Sequence, residues 1–242
     1  GLTQNLTADF TYNTDFAQVE ADELQVNLTR FSLFFPEKRE FFLENRRTFD
    51  FGGGGEDAPI LFYSRRIGLQ GSREVPIQAG GRMTGRIGGF DLGLLHIRTD
   101  TEPLSQALST GFSVVRLKRD VLRQSSIGVL MTGRSVALTG SGRNMAYGVD
   151  GTFSFLENRL SIDTYWAQTQ TDGAMGEGSS YRGKFDYNGD RYGVTVERLV
   201  VDDGFNPEVG FVRRRDMQKS AGRFRFSPRL LSVESIRKLS WS

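Results

Sequence analysis

Residues 76–99 read PIQAGGRMTGRIGGFDLGLLHIRT, and the first half of that stretch alternates at a period of two. Ile77, Ala79, Gly81, Met83 and Gly85 fall on one side, and Gln78, Arg82, Thr84 and Arg86 on the other. Successive side chains of a strand project to opposite faces, so this pattern predicts a strand with one apolar and one charged surface. Further along, the same division returns at Met145, Tyr147, Val149, Phe153 and Phe155 against Asp150, Thr152 and Ser154. It appears again at Tyr181, Phe185 and Tyr187 against Arg182, Lys184 and Asp186. It blurs in residues 111–120, where Arg116 and Lys118 share a face with Phe112 and Val114.

Strands are expected near residues 76–86, 90–99, 111–120, 125–134, 144–156, 160–169, 179–188, 191–201, 216–227 and 232–242. The connections say more than the strands. Ile87-Gly88-Gly89, residues 120–124, Glu157-Asn158 and Asn188-Gly189-Asp190 are short, and Asn-Gly is a strong type I′ hairpin signal. Residues 100–110, 135–143, 170–178 and 202–215 are longer, so short and long connections alternate. A soluble sandwich or lipocalin-like barrel has no reason to keep that order. A transmembrane barrel does, because its periplasmic turns are short and its outward loops longer. Strands of ~9–11 tilted residues also suffice to span the hydrocarbon.

The fold class expected is therefore all-β, an antiparallel up-and-down transmembrane β-barrel, incomplete at about 10–12 strands. Gln78, Arg82, Thr84, Arg86, Arg182, Lys184 and Asp186 would then face an aqueous lumen, with outer-membrane lipid as the partner of the other face. Closing the sheet would satisfy every edge N–H and C=O, as lipid cannot. Gly80, Gly81, Gly85, Gly93 and Gly183 suit the bending of a tilted wall. A long twisted sheet with one wet face fits the same periodicity.

Composition narrows the function classes. With 31 basic and 29 acidic residues the net charge is +2, which provides no bulk attraction to nucleic acid. There is no Cys, which excludes disulfides and thiolate metal sites. The 29 Gly stand well above the average usage of roughly 7%. No run approaches the ~20 apolar residues of a membrane helix. No signal peptide opens the chain, so an exported protein would have lost it or the sequence begins mid-protein. The opening residues Gly1–Gln4 lead straight into strand-like sequence and favour the second.

The amino-terminal third reads differently. Asn5–Asn13 alternates and predicts a strand. Residues 15–68 mix paired aromatics with both signs of charge, too polar for lipid and too aromatic for a free linker. Pro36 is expected to open a short helix through Glu44, since Pro is tolerated in a first helical turn. The division expected is an amino-terminal strand plus plug-like segment in or under the lumen over 1–75, and barrel strands over 76–242 that continue beyond the end.

Four blocks in order carry a family resemblance. They are residues 15–22, with Phe16, Glu20 and Asp22; residues 27–31, with Arg30; residues 34–44, with Phe35, Pro36, Glu37, Lys38, Arg39, Phe41 and Phe42; and residues 62–68, with Tyr63, Ser64, Arg65 and Arg66. Residues 204–211 with Arg214-Arg215-Asp216 are similar to a further block. The chain resembles, over essentially its whole length, the domain-of-unknown-function family 5916 of Gram-negative envelope proteins. Glu40 departs from the Pro expected after the Lys-Arg pair. The resemblance implies a family-nine carbohydrate-binding module before an outer-membrane barrel, hence a fragment here and a carbohydrate as a ligand. It implies no catalytic residue set.

Other candidate chemistry is thin. His96 is the only histidine, mid-strand, without a nucleophile elbow or a second imidazole, so a wall position outweighs catalysis or metal binding. Gly52-Gly53-Gly54-Gly55-Glu56-Asp57 matches one copy of a calcium-binding repeat that works only as stacked arrays, and it is not followed by the Gly-Lys of a phosphate loop. A flexible turn is the default there. No metal and no cofactor is expected. The acidic run Asp15, Glu20, Asp22, Glu23 and the basic run Arg30, Lys38, Arg39, Arg46, Arg47 predict a buried ion-pair network reaching Arg65 and Arg66. The function expected is passage or surface recognition of a carbohydrate-related solute in the bacterial outer membrane. The alternatives are a glycoside hydrolase using Glu20 or Glu37, and a soluble β-rich interaction module.

Overall fold

The computed structural model describes residues 5–14, 34–55, 57–70, 73–173 and 177–227. In chain order the strands are β1 (Leu6–Thr14), β2 (Leu69–Gln70), β3 (Arg73–Glu74), β4 (Ile77–Ile87), β5 (Phe90–Thr99) and β6 (Gly111–Leu122). They continue with β7 (Ser125–Arg134), β8 (Asn144–Phe155), β9 (Leu160–Thr171), β10 (Gly178–Asn188), β11 (Tyr192–Val201) and β12 (Met217–Phe226). Ten of them form a single antiparallel sheet in the order β1-β4-β5-β6-β7-β8-β9-β10-β11-β12, and β2 pairs with β3 alone. β4 pairs with β1, and from β5 onward each strand pairs with its predecessor, so the sheet is a meander. The strands expected at 90–99 and 125–134 coincide with β5 and β7, and the other described ones differ only at their ends. The strand expected at 232–242 lies outside the described residues.

Connections 88–89, 123–124, 156–159 and 189–191 gather at one rim, and 100–110, 135–143, 172–177 and 202–216 at the other. Gly88 and Gly89 both have positive φ (54° and 85°), the backbone that a two-residue type I′ hairpin demands. Among the described residues the outer strands β1 and β12 are not paired with each other, so the sheet is open.

One face of this sheet is covered. Residues 34–70 carry a helix α1 (Glu40–Leu43) and two 3-10 turns, Arg46–Phe49 and Ser64–Arg66, and lie against it. Phe42, Phe49, Leu61 and Ile67 pack on Leu95, Ile97, Phe112, Val114, Leu130, Ala146, Ala167 and Leu199, a core concentrated toward the long-connection rim. Gly93 makes room for it, since a Cβ there would sit 2.8 Å from the Phe49 ring. This core explains the blurred pattern of β6. Phe112 and Val114 meet the apolar part of the covering segment, and Arg116 on the same face meets its polar part.

Three expectations are corrected. Ile77, placed with Met83 on the outer face by simple alternation, is buried in the core, because the β4–β5 register shifts between Ile77 and Ala79. The helix expected from Pro36 begins only at Glu40. Pro36 to Arg39 is not helical, and both backbone N–H groups of Lys38 and Arg39 are held by the Glu37 carboxylate. Connection 202–216 folds inward rather than standing out as a loop. Phe205 and Val209 are fully buried, and Ile60 and Phe211 exchange backbone hydrogen bonds of 2.9 and 2.7 Å.

The inward fold depends on one small residue. A Cβ on Gly178 would fall 2.0 Å from Phe205 N and 2.1 Å from Gly204 C, both backbone atoms that cannot swing aside. Gly178→Ala is predicted to destabilise the chain by about 1–3 kcal/mol, as overpacking does. Limited proteolysis will detect it as faster cleavage within 202–216.

Candidate functional site

The covered face carries arginines, and a buried guanidinium persists only when its donors find acceptors. Arg82 on β4 donates from Nη2 to Asp9 Oδ2 of β1 and to Glu44 Oε2, each at 2.6 Å. Its Nη1 donates to the carbonyls of Phe41 and Glu44, which the short helix α1 leaves free at its end. One side chain thus ties two strands to the covering segment. Arg182 on β10 donates to Glu197 Oε1 of β11 at 2.6 Å and to the carbonyls of Gly52 and Gly54.

Arg116 spans three strands. Its Nη1 and Nη2 lie 2.6 and 2.9 Å from the two oxygens of Asp150 on β8, although β7 runs between them. Gly128 on β7 makes that reach feasible, since a Cβ there would lie 2.7 Å from Arg116 Nη1. Asp150 also accepts the backbone N–H of Gly52 at 3.1 Å, and the guanidinium carbon stands 5.6 Å from the centre of the Phe51 ring. Gly52, Gly53 and Gly54 all adopt φ near 70°, which only glycine takes without strain. The expected flexible turn is therefore an arch fastened at both ends to the arginine layer.

Beneath the arch, toward the short-turn rim, is a cleft of about 520 Å³. Phe34, Phe49, Phe51 and Tyr63 wall it from the covering segment, and Arg116, Lys118, Ser126, Asp150 and Thr152 from the sheet. Asp50 also lines it, and desolvation of its carboxyl pushes the pKa up despite the attraction of Arg46, Arg47, Arg116 and Lys118.

The family-motif residues form a separate clasp within the covering segment. Glu37 accepts from Arg39 Nε at 2.9 Å, from Arg39 Nη2 at 2.7 Å and from the Ser64 hydroxyl at 2.5 Å. Arg39 reaches on to the carbonyls of Ile67 and Ser64, and its guanidinium sits 4.2 Å from the Phe42 ring centre. Tyr63 and Phe35 hydrogen-bond reciprocally, Arg65 donates to the Pro36 carbonyl and Arg66 to that of Gly210. Phe41 stands 5.1 Å from the Arg82 guanidinium, and Lys38 is exposed. Phe16, Glu20, Asp22 and Arg30, with the acidic run Asp15 to Glu23, lie outside the described residues. Among the described residues Arg39 pairs with Glu37, two residues away, and the acidic run it was expected to meet lies outside them.

Of the residues expected to face a lumen, Arg82, Thr84 and Arg182 are buried on the covered face. Lys184 and Asp186 are half-buried on it, with Asp186 accepting from Thr195. Arg86 is exposed at the short-turn rim beside Asp120 and Asp91, and Gln78 is exposed next to the β4 irregularity. His96 is exposed on the opposite face and bonded to Ser113 Oγ at 2.9 Å. Among the described residues no group of acidic or histidine side chains is arranged to hold a metal. Reading by alternation alone missed Arg116–Asp150, Arg46 and Lys118. The available signal was Arg116 and Lys118 interrupting an otherwise apolar face.

Residues 1–84 match the family described as "Domain of unknown function (DUF5916)". The match takes in β1, the covering segment and the part of β4 that carries Arg82. No curated protein and no solved structure matches the chain.

Burial raises the Glu37 pKa, but the bonds and charge of Arg39 and the Ser64 hydroxyl outweigh it and leave the group below its ordinary 4.5. A depressed folded pKa means stability fully present above that ordinary value and lost as pH falls through the lower folded one. Denaturant melts are expected to show this loss below pH 4.5, and Glu37→Gln to remove the Glu37 share of the acid dependence. Glu37→Gln is also expected to cost about 3–5 kcal/mol at neutral pH, because Arg39 is left buried without its counter-charge. Arg39→Glu, setting two carboxylates together, is expected to yield no folded protein.

Proposed function

We propose that this chain forms part of an outer-membrane β-barrel whose interior holds residues 34–70, and that it serves in passage or surface recognition of a carbohydrate-related solute. The observation that carries the reading is an apolar uncovered face opposite a covered face that buries arginines beside its apolar core. The covered face of the sheet holds Arg82, Arg116 and Arg182, and the uncovered face presents Phe10, Val115, Val129, Met131, Val149, Trp166, Phe185, Val196 and Phe224, all exposed. A soluble sandwich turns the apolar face inward and the charged face to water. Soluble monomers rarely leave a contiguous apolar patch larger than a few hundred Å², and this one runs from β1 to β12. Hydrocarbon is the solvent that suits it.

The rest agrees in kind. Strands of nine to twelve residues match the ~9–11 needed to cross a bilayer at a tilt. Short and long connections segregate to opposite rims, as periplasmic turns and outward loops do. No described helix is long and apolar enough to cross a membrane. Closing the barrel would require strands beyond the ten described, between β12 and β1. The covering segment, which the family match takes in, would then lie in the lumen and narrow it. The solute class rests on the family resemblance and on the aromatic and hydroxyl lining of the cleft.

A glycoside hydrolase finds less support, since Arg39 and Ser64 occupy the Glu37 carboxylate and leave it no role as a general base. A soluble interaction module would need a partner over the whole apolar face.

Val149 is 50 % exposed on β8 and makes the reading testable. Val149→Arg would cost a membrane-embedded strand about 2–4 kcal/mol near the bilayer midplane. Folding into lipid vesicles is expected to fall accordingly, read as loss of heat-modifiable migration on gels. A soluble protein would tolerate the change or gain solubility from it, and that outcome would reject the membrane reading.

A further inference from the structure

The cleft under the glycine arch has more cationic character than its own residues neutralise. Of the charges that line it, Arg116 is paired with Asp150, and Glu37 with Arg39. Arg46 and Lys118 also line it, and neither makes a salt bridge or side-chain hydrogen bond to a described residue. Among the described residues Asp50 is the only other charged one in the lining. Arg116 adds an independent sign of an unfilled role. Its side chain is 2 % exposed, and its Nε has no hydrogen-bond partner.

We propose that this cleft binds a small acidic ring compound of uronate-like chemistry, one or two sugar-sized rings bearing a carboxylate. Arg46 and Lys118 take the carboxylate, Phe34, Phe49 and Phe51 offer apolar faces to the rings, and Ser126, Thr152 and the unbonded Asp50 carboxylate meet ring hydroxyls. The volume, about 520 Å³, lies within the roughly 300–1,000 Å³ of small-ligand sites. A bare inorganic anion would leave the aromatic walls without purpose, and a neutral sugar would leave unanswered the one positive charge by which Arg46 and Lys118 exceed Asp50. This deepens the reading of the covered face as a solute-facing interior and rests on it.

The test is calorimetric titration of the full chain in detergent micelles with digalacturonate, lactose and inorganic phosphate. Digalacturonate is expected to bind at least about ten-fold more tightly than either of the others, a gap of ~1.4 kcal/mol. The double variant Arg46→Gln/Lys118→Gln is expected to lose that advantage while keeping its circular dichroism and its flotation with lipid vesicles. Lactose or phosphate binding as tightly as digalacturonate would overturn the assignment, and so would a double variant that binds as the parent does. Absence of binding in a chain that still floats with vesicles would overturn the site and leave the membrane reading standing. Failure to float would remove the reading beneath it.

Discussion

The structure depends on the need to satisfy guanidinium groups removed from water. Arg82, Arg116 and Arg182 are almost wholly enclosed, and none of them finds enough acceptors on its own strand. Asp9 and Glu197 supply countercharge from adjacent strands and Asp150 from the next strand but one, and the carbonyls of Phe41, Glu44, Gly52 and Gly54 complete the set from the covering segment. The sheet thus holds its covering segment by charge-assisted hydrogen bonds, and that segment in turn is what allows the sheet to carry arginine on its covered face. Removing either leaves the other with buried groups it cannot pair.

That constraint divides the enclosed space into two halves. Toward the long-connection rim, Phe42, Leu61, Ile67, Phe205 and Val209 make a dry core with the ends of the strands. Toward the short-turn rim the same face turns polar, and the packing gives way to the cleft. Connection 202–216 closes the dry end, where Asn144 joins it to the sheet by donating to the Asn206 carbonyl at 2.9 Å and accepting from Glu208 N at 3.0 Å.

Much of the sheet was legible because its signals are local. Alternation located the described strands of the meander, and Gly88-Gly89 marked a tight connection by residues that accept unusual backbone angles, whereas Asn188-Gly189 connects β10 to β11 without the positive φ that a type I′ turn would require. The sites were harder to see. Carbonyl acceptors have no sequence signature, so nothing in the letters pointed to Phe41 and Gly54 as the partners of Arg82 and Arg182. The irregular pairing at Ile77 inverts a face without changing composition. Arg46 and Lys118 are brought to one cleft only by the folding of the covering segment across β6, and the mixture of paired aromatics with both signs of charge announced a packed segment without saying onto what.

The account stands or falls on what surrounds the uncovered face. Trp166 lies on that face of β9, 41 % exposed and beside Tyr147. With Trp241→Phe it becomes the sole tryptophan, and its fluorescence reports directly on its neighbours. In vesicles made with brominated acyl chains the account predicts strong quenching of Trp166 and little effect of aqueous iodide. Quenching by iodide with no response to bromine would place the apolar face in water and contradict it.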